Sequence, residues 1–369
     1  MTKTVRYLER GKLQDLIEDL QEAGYRCLGP QVRDGAIVYD HLEHAGQLPR
    51  GYTDQQSPGD YALEHTGTPR CFAWANGPQA IKPRVFTAEE TLWTSRRETG
   101  GGLRFRAADI EAEPLAIIGV RACDLAALYL QDKHFLHREP RDAAYLARRQ
   151  RLLLVAVNCS HPAATCFCVS TGDGPRAGYG YDLLLSELDD GYLIEGRSEA
   201  GQTLLAGLPT REATEQEREQ VEAELCAAAA RQTRHLPGRN LKDVLFANLD
   251  HPRWEEVAQR CLSCGNCTAV CPTCFCHSGQ DRPALDGSRS EHVREWDSCF
   301  TQGHSYLHGI TLRATTAQRY RQWLTHKLGS WHDQYGRSGC VGCGRCISWC
   351  PVGIDLTEEA AVICAGEAT

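Results

Sequence analysis

Cys261-Leu262-Ser263-Cys264-Gly265-Asn266-Cys267-Thr268-Ala269-Val270-Cys271-Pro272 and Cys340-Val341-Gly342-Cys343-Gly344-Arg345-Cys346-Ile347-Ser348-Trp349-Cys350-Pro351 are two copies of one pattern, C-x2-C-x2-C-x3-C-P. A cubane of iron and sulfide needs a thiolate at each iron, and three cysteines two residues apart let a tightly wound loop present three sulfurs to one cluster. Gly265 and Gly344 relieve crowding where backbone amides approach inorganic sulfide, and those amides stabilise the cluster's negative charge. In this pattern the fourth cysteine, followed by proline, ligates the other cluster. The sequence therefore predicts two [4Fe–4S] clusters: one on Cys261, Cys264, Cys267 and Cys350, the other on Cys340, Cys343, Cys346 and Cys271.

Structural zinc also uses paired C-x2-C elements, but it needs neither a third C-x2 step nor a Cys-Pro ending. Crossed ligation ties distant segments together, so loss of either cluster is expected to unfold much of the domain. Around the runs, Leu241 to Leu249, Trp254 to Arg260 and Thr315 to Leu328 read as helices, separated by a Gly-, Ser- and Asp-rich loop near Ser278 to Ser290. The long insertion between the runs points to an all-helical two-cluster ferredoxin domain over residues 236–369.

Residues 1–235 read as an α/β domain, making the whole chain α+β. Gly11 to Gly24 is an amphipathic helix, with Leu13, Leu16, Ile17 and Leu20 at helical spacing. Gln47 to Pro83 reads as loops and short hairpins. The run Leu115 to Val120 fits a buried strand, Asp124 an N-cap for the helical segment Leu125 to Leu130, and Leu152 to Val157 a second strand closing a βαβ-like unit. Strands follow at Asp182 to Ser186 and Tyr192 to Glu195, then a helix over Thr214 to Arg234 bridges to the second domain.

Cys123 and Cys159 each follow the C-terminal end of a predicted strand. If those strands are parallel neighbours, both thiols emerge at one sheet edge, with Cys166 and Cys168 on the loop leaving it. These four form a candidate third [4Fe–4S] site; the plain alternative is that they are small buried hydrophobes. Cys274 and Cys276 in Thr273-Cys274-Phe275-Cys276 echo the Thr165-to-Cys168 tetrapeptide, and Cys299 closes Trp296-Asp297-Ser298-Cys299; packing around the clusters is the simpler role for them. Cys27, Cys71, Cys226 and Cys364 are isolated, and His161, His277 and His304 read as hydrogen-bonding neighbours.

The 369 residues are 42% hydrophobic, enough for a substantial core, and carry a formal net charge of −8 without clustered Lys or Arg, which excludes a nucleic-acid partner. No stretch reaches the roughly 20 apolar residues of a spanning helix, and Met1 to Arg6 lack a signal-peptide core, so no membrane is expected and the location reads as cytoplasmic. Nineteen cysteines in a reducing compartment point to metal rather than disulfides. There is no G-x-G-x-x-G after a strand and no G-x4-G-K-[ST], so no nicotinamide or nucleotide site is expected here.

Gly119-Val120-Arg121-Ala122-Cys123-Asp124-Leu125, Asn158-Cys159, Cys166-Phe167-Cys168, the two cysteine runs, Trp296 to Cys299 and Gln322-Trp323-Leu324-Thr325-His326-Lys327 together carry a resemblance over nearly the whole chain. It resembles the iron–sulfur β subunit of cytosolic sulfhydrogenase-type (group 3b-like) [NiFe] hydrogenases and is similar to the iron–sulfur subunit of the anaerobic sulfite reductase. The resemblance implies a non-catalytic electron-transfer subunit of an oxidoreductase complex. It would dock on a flavin-containing, NAD(P)-linked subunit, sharing its complex with a hydrogenase module or, alternatively, a sulfite-reducing one. A different class of function, an iron–sulfur redox regulator, would need a signalling or nucleic-acid surface that the sequence does not offer.

Overall fold

The computed structural model describes residues 5–79, 81–238 and 241–365; Met1 to Thr4, read above for a leader, and the last four residues of the second expected domain lie outside them. The chain opens on β1 (Arg6–Glu9), passes through the helix Leu13–Glu22, and continues into β2 (Arg26–Arg33) and β3 (Ala36–His41). Two hairpins follow, β4 (Tyr52–Ser57) with β5 (Asp60–His65) and β6 (Glu89–Arg97) with β7 (Leu103–Ala107). Then come β8 (Leu115–Val120), the helix Ala122–Phe135, β9 (Leu152–Val157), β10 (Leu183–Glu187), β11 (Gly191–Gly196) and β12 (Thr210–Glu212).

Eight of these strands make one mixed sheet in the order β12-β1-β11-β10-β9-β8-β2-β3, with β2, β8, β9 and β10 parallel. Every residue of β8 is buried, as is nearly all of β9, because both sheet faces are covered; this is why they read as continuous apolar runs rather than alternating ones. Burial of each such aliphatic side chain contributes about 1.5–3 kcal/mol. Leu13, Leu16, Ile17 and Leu20 place the first helix on the sheet, at the spacing read from the sequence. Asp124 is not the N-cap of the next helix: Arg121 holds that position, and Asp124 lies in the first turn with a different partner.

Gly119 sits at φ 91° in a bulge near the end of β8, where the register shifts between Ile118 and Val120. An added Cβ there would lie 3.2 Å from both Phe72 and Pro30. The bulge re-aims the chain just before Arg121 and Cys123. Arg121, buried, then donates to the carbonyls of Phe72 and Trp74, each at 2.8 Å, and its guanidinium lies 4.3 Å from the centre of the Trp74 ring.

The C-terminal half is built from the helices Leu241–Ala247, Arg253–Arg260, Thr316–Thr325, Trp331–Tyr335 and Leu356–Ala365, but it is not all-helical. The expected loop between the runs is a β-hairpin, β13 (His277–Pro283) and β14 (Arg289–Trp296), followed by a small one of β15 (Tyr306–Leu307) and β16 (Ile310–Thr311). β14 pairs antiparallel with β6, giving a second sheet in the order β13-β14-β6-β7. The hairpin is polar and half-exposed, so it lacks the apolar alternation that marks a strand, and its partner lies far upstream. Arg294 fixes it from below, paired with Glu90 and Asp142 and lying against the Phe86 ring.

Candidate metal centre

Both cysteine runs adopt one backbone. Cys261 ends the helix Arg253–Arg260; the chain then turns through Ser263 at φ 52° and Gly265 at φ 74° into the short helix Asn266–Ala269. In the second run Gly342 (φ 64°) and Gly344 (φ 73°) occupy the equivalent places ahead of Arg345–Ser348. The left-handed conformation turns amides inward: the N–H of Ser263 lies 3.5 Å from Cys261 Sγ, and that of Gly342 lies 3.5 Å from Cys340 Sγ. These are the donors an anionic sulfur needs.

The sulfurs of the two runs lie close together, and Cys346 of the second run reaches the cavity of the first. Cys261, Cys264, Cys267 and Cys350 line one cavity, walled on its apolar side by Phe300, Tyr320 and Trp323. Cys340 and Cys346 have Cys343 and Cys271 as neighbours, and Cys346 has Cys267 of the first run beside it as well. Burial, and then the neighbouring thiols, push Cys267 and Cys346 well above the ordinary thiol range. Thiols packed this way become anionic together only with cationic metal among them, so the donor set suits iron–sulfur clusters. Among the described residues no three His, Cys, Asp or Glu side chains close on a point suited to a single metal ion.

The third constellation also assembles. β8 and β9 are parallel neighbours, so Cys123 and Cys159 leave the sheet on the same edge, and Cys166 has Cys159 and Cys168 beside it. Cys123 is a neighbour of Cys168 and receives a hydrogen bond from Asn76 Nδ2 at 3.2 Å. Gln232 Nε2 donates to Cys168 Sγ at 3.3 Å. A Cβ on Gly174 would stand 2.8 Å from that same sulfur, which explains a glycine in the Gly172-Asp173-Gly174 loop. Cys166 Sγ lies 3.8 Å from the carbonyl oxygen of Cys343, so this group abuts the second one. Of the isolated cysteines, Cys27, Cys71 and Cys364 are buried in packing and Cys226 is exposed. His161 bonds the Asp54 carbonyl and His277 that of Phe275, the hydrogen-bonding roles expected of them.

Residues 260–354 match the family model of the 4Fe-4S dicluster domain. The chain is also similar to sulfhydrogenase 2 subunit beta of Pyrococcus furiosus, at 32% identity over 242 residues, covering 65% of this chain and 71% of the relative. This chain belongs to the sulfhydrogenase beta-subunit family. It is an iron–sulfur electron-transfer subunit, carrying two [4Fe–4S] clusters. No solved structure matches it. Among the described residues no helix is long and apolar enough to cross a membrane.

Within this sulfhydrogenase beta subunit, three buried cations beside the cysteine runs were not read from the sequence, and one of them reaches a sulfur. Lys327, in a π-helical turn at His326–Ser330, donates to Cys271 Sγ at 3.4 Å and to Thr273 Oγ1 at 3.0 Å. Arg345 lies between Cys343 and Cys346 in sequence and pairs with Asp124 beside Cys123. Lys82 donates to the carbonyls of Thr268 and Ala269 in the first run. The signal for Lys327 was present in the Gln322-to-Lys327 motif, but only packing reveals that its ammonium turns toward a cysteine.

Proposed function

We propose that this chain relays single electrons between a catalytic hydrogenase module and a flavin- and NAD(P)-binding subunit. The ligand sets are Cys261, Cys264, Cys267 and Cys350 for one cluster and Cys340, Cys343, Cys346 and Cys271 for the other. Cys123, Cys159, Cys166 and Cys168 hold a third. The observation that carries the reading is the contact of Cys166 Sγ with the carbonyl of Cys343, while Cys346 lines the cavity of the first group: the three thiol groups form one continuous row.

Thiolate clusters exchange one electron at a time, with potentials set by hydrogen bonds and exposure. The chain's own residues supply that tuning: amides of Ser263 and Gly342, the Asn76 and Gln232 side-chain amides, and the Lys327 ammonium all donate to cysteine sulfur. A hydride carrier delivers two electrons, so a flavin on a partner must divide them before they enter the row. The relative's name, a sulfhydrogenase, favours a hydrogenase module over a sulfite-reducing one.

Anaerobic purification of the native complex, with mass spectrometry of its subunits, is expected to return a flavoprotein and a hydrogenase module. NAD(P)H is expected to reduce the clusters only when the flavoprotein is present. A chain that purifies alone, or is reduced by NAD(P)H in isolation, overturns the reading.

A further inference from the structure

Among the cysteines of the three groups, Cys264 alone is exposed, so the row of sulfurs comes nearest to solvent there. Leu262, two residues before it, is 63% exposed, and both line the first group's cavity together with Phe300 and Tyr320. Phe300 and Tyr320 also bracket the small hairpin of β15 and β16 in sequence, so that hairpin hangs from the wall of the cavity. Its base is fixed. His304 Nδ1 lies 2.8 Å from Asp297 Oδ2, the hydrogen-bonding role read for it from the sequence, and the N–H groups of Leu312 and Arg313 donate to the carbonyl and the hydroxyl of Ser305, each at 3.1 Å. The turn is set as well: His308 at φ 48° and Gly309 at φ 87° are the two left-handed residues of a tight hairpin turn.

What the hairpin presents is apolar. Tyr306, Leu307, Ile310 and Leu312 are each 55–64% exposed, and Leu307 and Ile310 are paired directly across the two strands. A two-stranded hairpin has no core of its own in which to hide such side chains. Single exposed apolar residues are ordinary, but a run of them beside the most exposed cysteine marks a surface built to be covered. The charge around it is one-sided. From Ser298 to His332 the chain, acidic overall at −8, has no Asp or Glu, yet it carries Arg313, Arg319, Arg321 and Lys327. Arg319 and Lys327 are buried, and Arg321 reaches the Leu249 carbonyl. Arg313, at the foot of the hairpin, pairs with no carboxylate among the described residues. Such a face complements a protein surface that is apolar at its centre and acidic where Arg313 meets it.

We propose that the β15–β16 hairpin and Leu262 form the face on which this chain docks a redox subunit of its complex, one whose own surface is apolar at the centre and carries carboxylates opposite Arg313. The inference rests on the relay reading above and adds where one partner sits: over Cys264, so that its redox centre approaches the first cluster. One electron leaves one centre and enters the other, with no bond made or broken.

The test uses the native complex, purified anaerobically through a tag on this chain. Leu307→Glu with Ile310→Glu is expected to weaken association of one redox subunit by about tenfold or more, at unchanged iron and sulfide per chain. Arg313→Glu is expected to act in the same direction and Arg313→Lys to retain association. Leu285→Glu, in the exposed turn between β13 and β14, is the control and should leave association unchanged. With a photo-crosslinking residue at position 307 of the otherwise wild-type chain, the expected link is to a subunit that holds flavin or a metal cluster. A link to a second copy of this chain, or no link to any subunit, overturns the proposal. If the double variant does not fold, the link alone decides. A double variant whose complex stays whole, with normal cluster reduction, refutes the docking face and leaves the relay reading standing, whereas a wild-type chain that purifies alone overturns both.

Discussion

Arg345 and Asp124 form an ion pair sealed from water, with Nη1 2.9 Å from Oδ1 and Nη2 donating to Oδ2 at 3.1 Å. Asp124 follows Cys123, and Arg345 precedes Cys346, so the pair bolts the edge of the large sheet to the second cysteine run. Arg345 Nε also donates to the Gly77 carbonyl at 3.1 Å. Removing one partner leaves a buried charge uncompensated, a loss of about 3–5 kcal/mol. Arg345→Met is therefore expected to lower stability by that order in anaerobic denaturant titrations, and Arg345→Met with Asp124→Leu to recover part of it.

Crossed ligation gives an unequal prediction for the two fourth cysteines. Cys350→Ser is expected to lose first about four iron from the group of Cys261, the group of Cys340 following only as the domain unfolds, and Cys271→Ser to reverse that order. Iron analysis with EPR of each variant reads the outcome. Loss first from the run in which the substituted cysteine lies would refute the crossing.

Gly344 is one of the points where the second cysteine run packs directly on the backbone of the first half. Its φ is +73°, and an added Cβ would stand 2.6 Å from the Thr165 carbonyl oxygen. Gly344→Ala is expected to lower stability by at least about 2 kcal/mol, from left-handed strain and the clash together. Gly102→Ala, with nothing within 4 Å, is the control and should leave the melting temperature unchanged.

His134 sets an acid limit on the junction. Burial is the main cause that lowers its pKa from the usual 6.5 to about 4, and its Nδ1 lies 2.7 Å from the Tyr335 hydroxyl. A histidine held neutral in the folded state and free in the unfolded one contributes stability that is whole above pH 6.5 and declines as pH falls toward 4. With its partial exposure discounted, about 2 kcal/mol is at stake. Melting curves across that window should fall more steeply for the wild type than for His134→Gln.

The cysteine runs, the buried strands β8 and β9, and the first helix were legible because each carries its own signal: fixed spacing, an unbroken apolar run, or a 3.6-residue stripe. The shared sheet edge of Cys123 and Cys159 was legible through topology, since each follows one of two parallel neighbouring strands. The hairpin β13–β14 was not. Gln280, Asp281 and Arg282 look like loop residues, and what makes them a strand is pairing that leads through β14 to β6, a long-range fact with no local trace. The buried cations were hidden for a related reason: Lys82, Lys327 and Arg345 are ordinary surface residue types until the fold encloses them.

The strand pairing of β14 with β6 also bears on how this molecule can be handled. A gene fragment beginning at the linker near residue 236 would encode all eight ferredoxin-type cysteines, yet its protein would expose an orphaned hairpin edge where Glu89 to Arg96 belong. Such an unpaired edge is a template for self-association. The electron-carrying segment is therefore no portable cassette: it is stitched into the fabric of the half that precedes it.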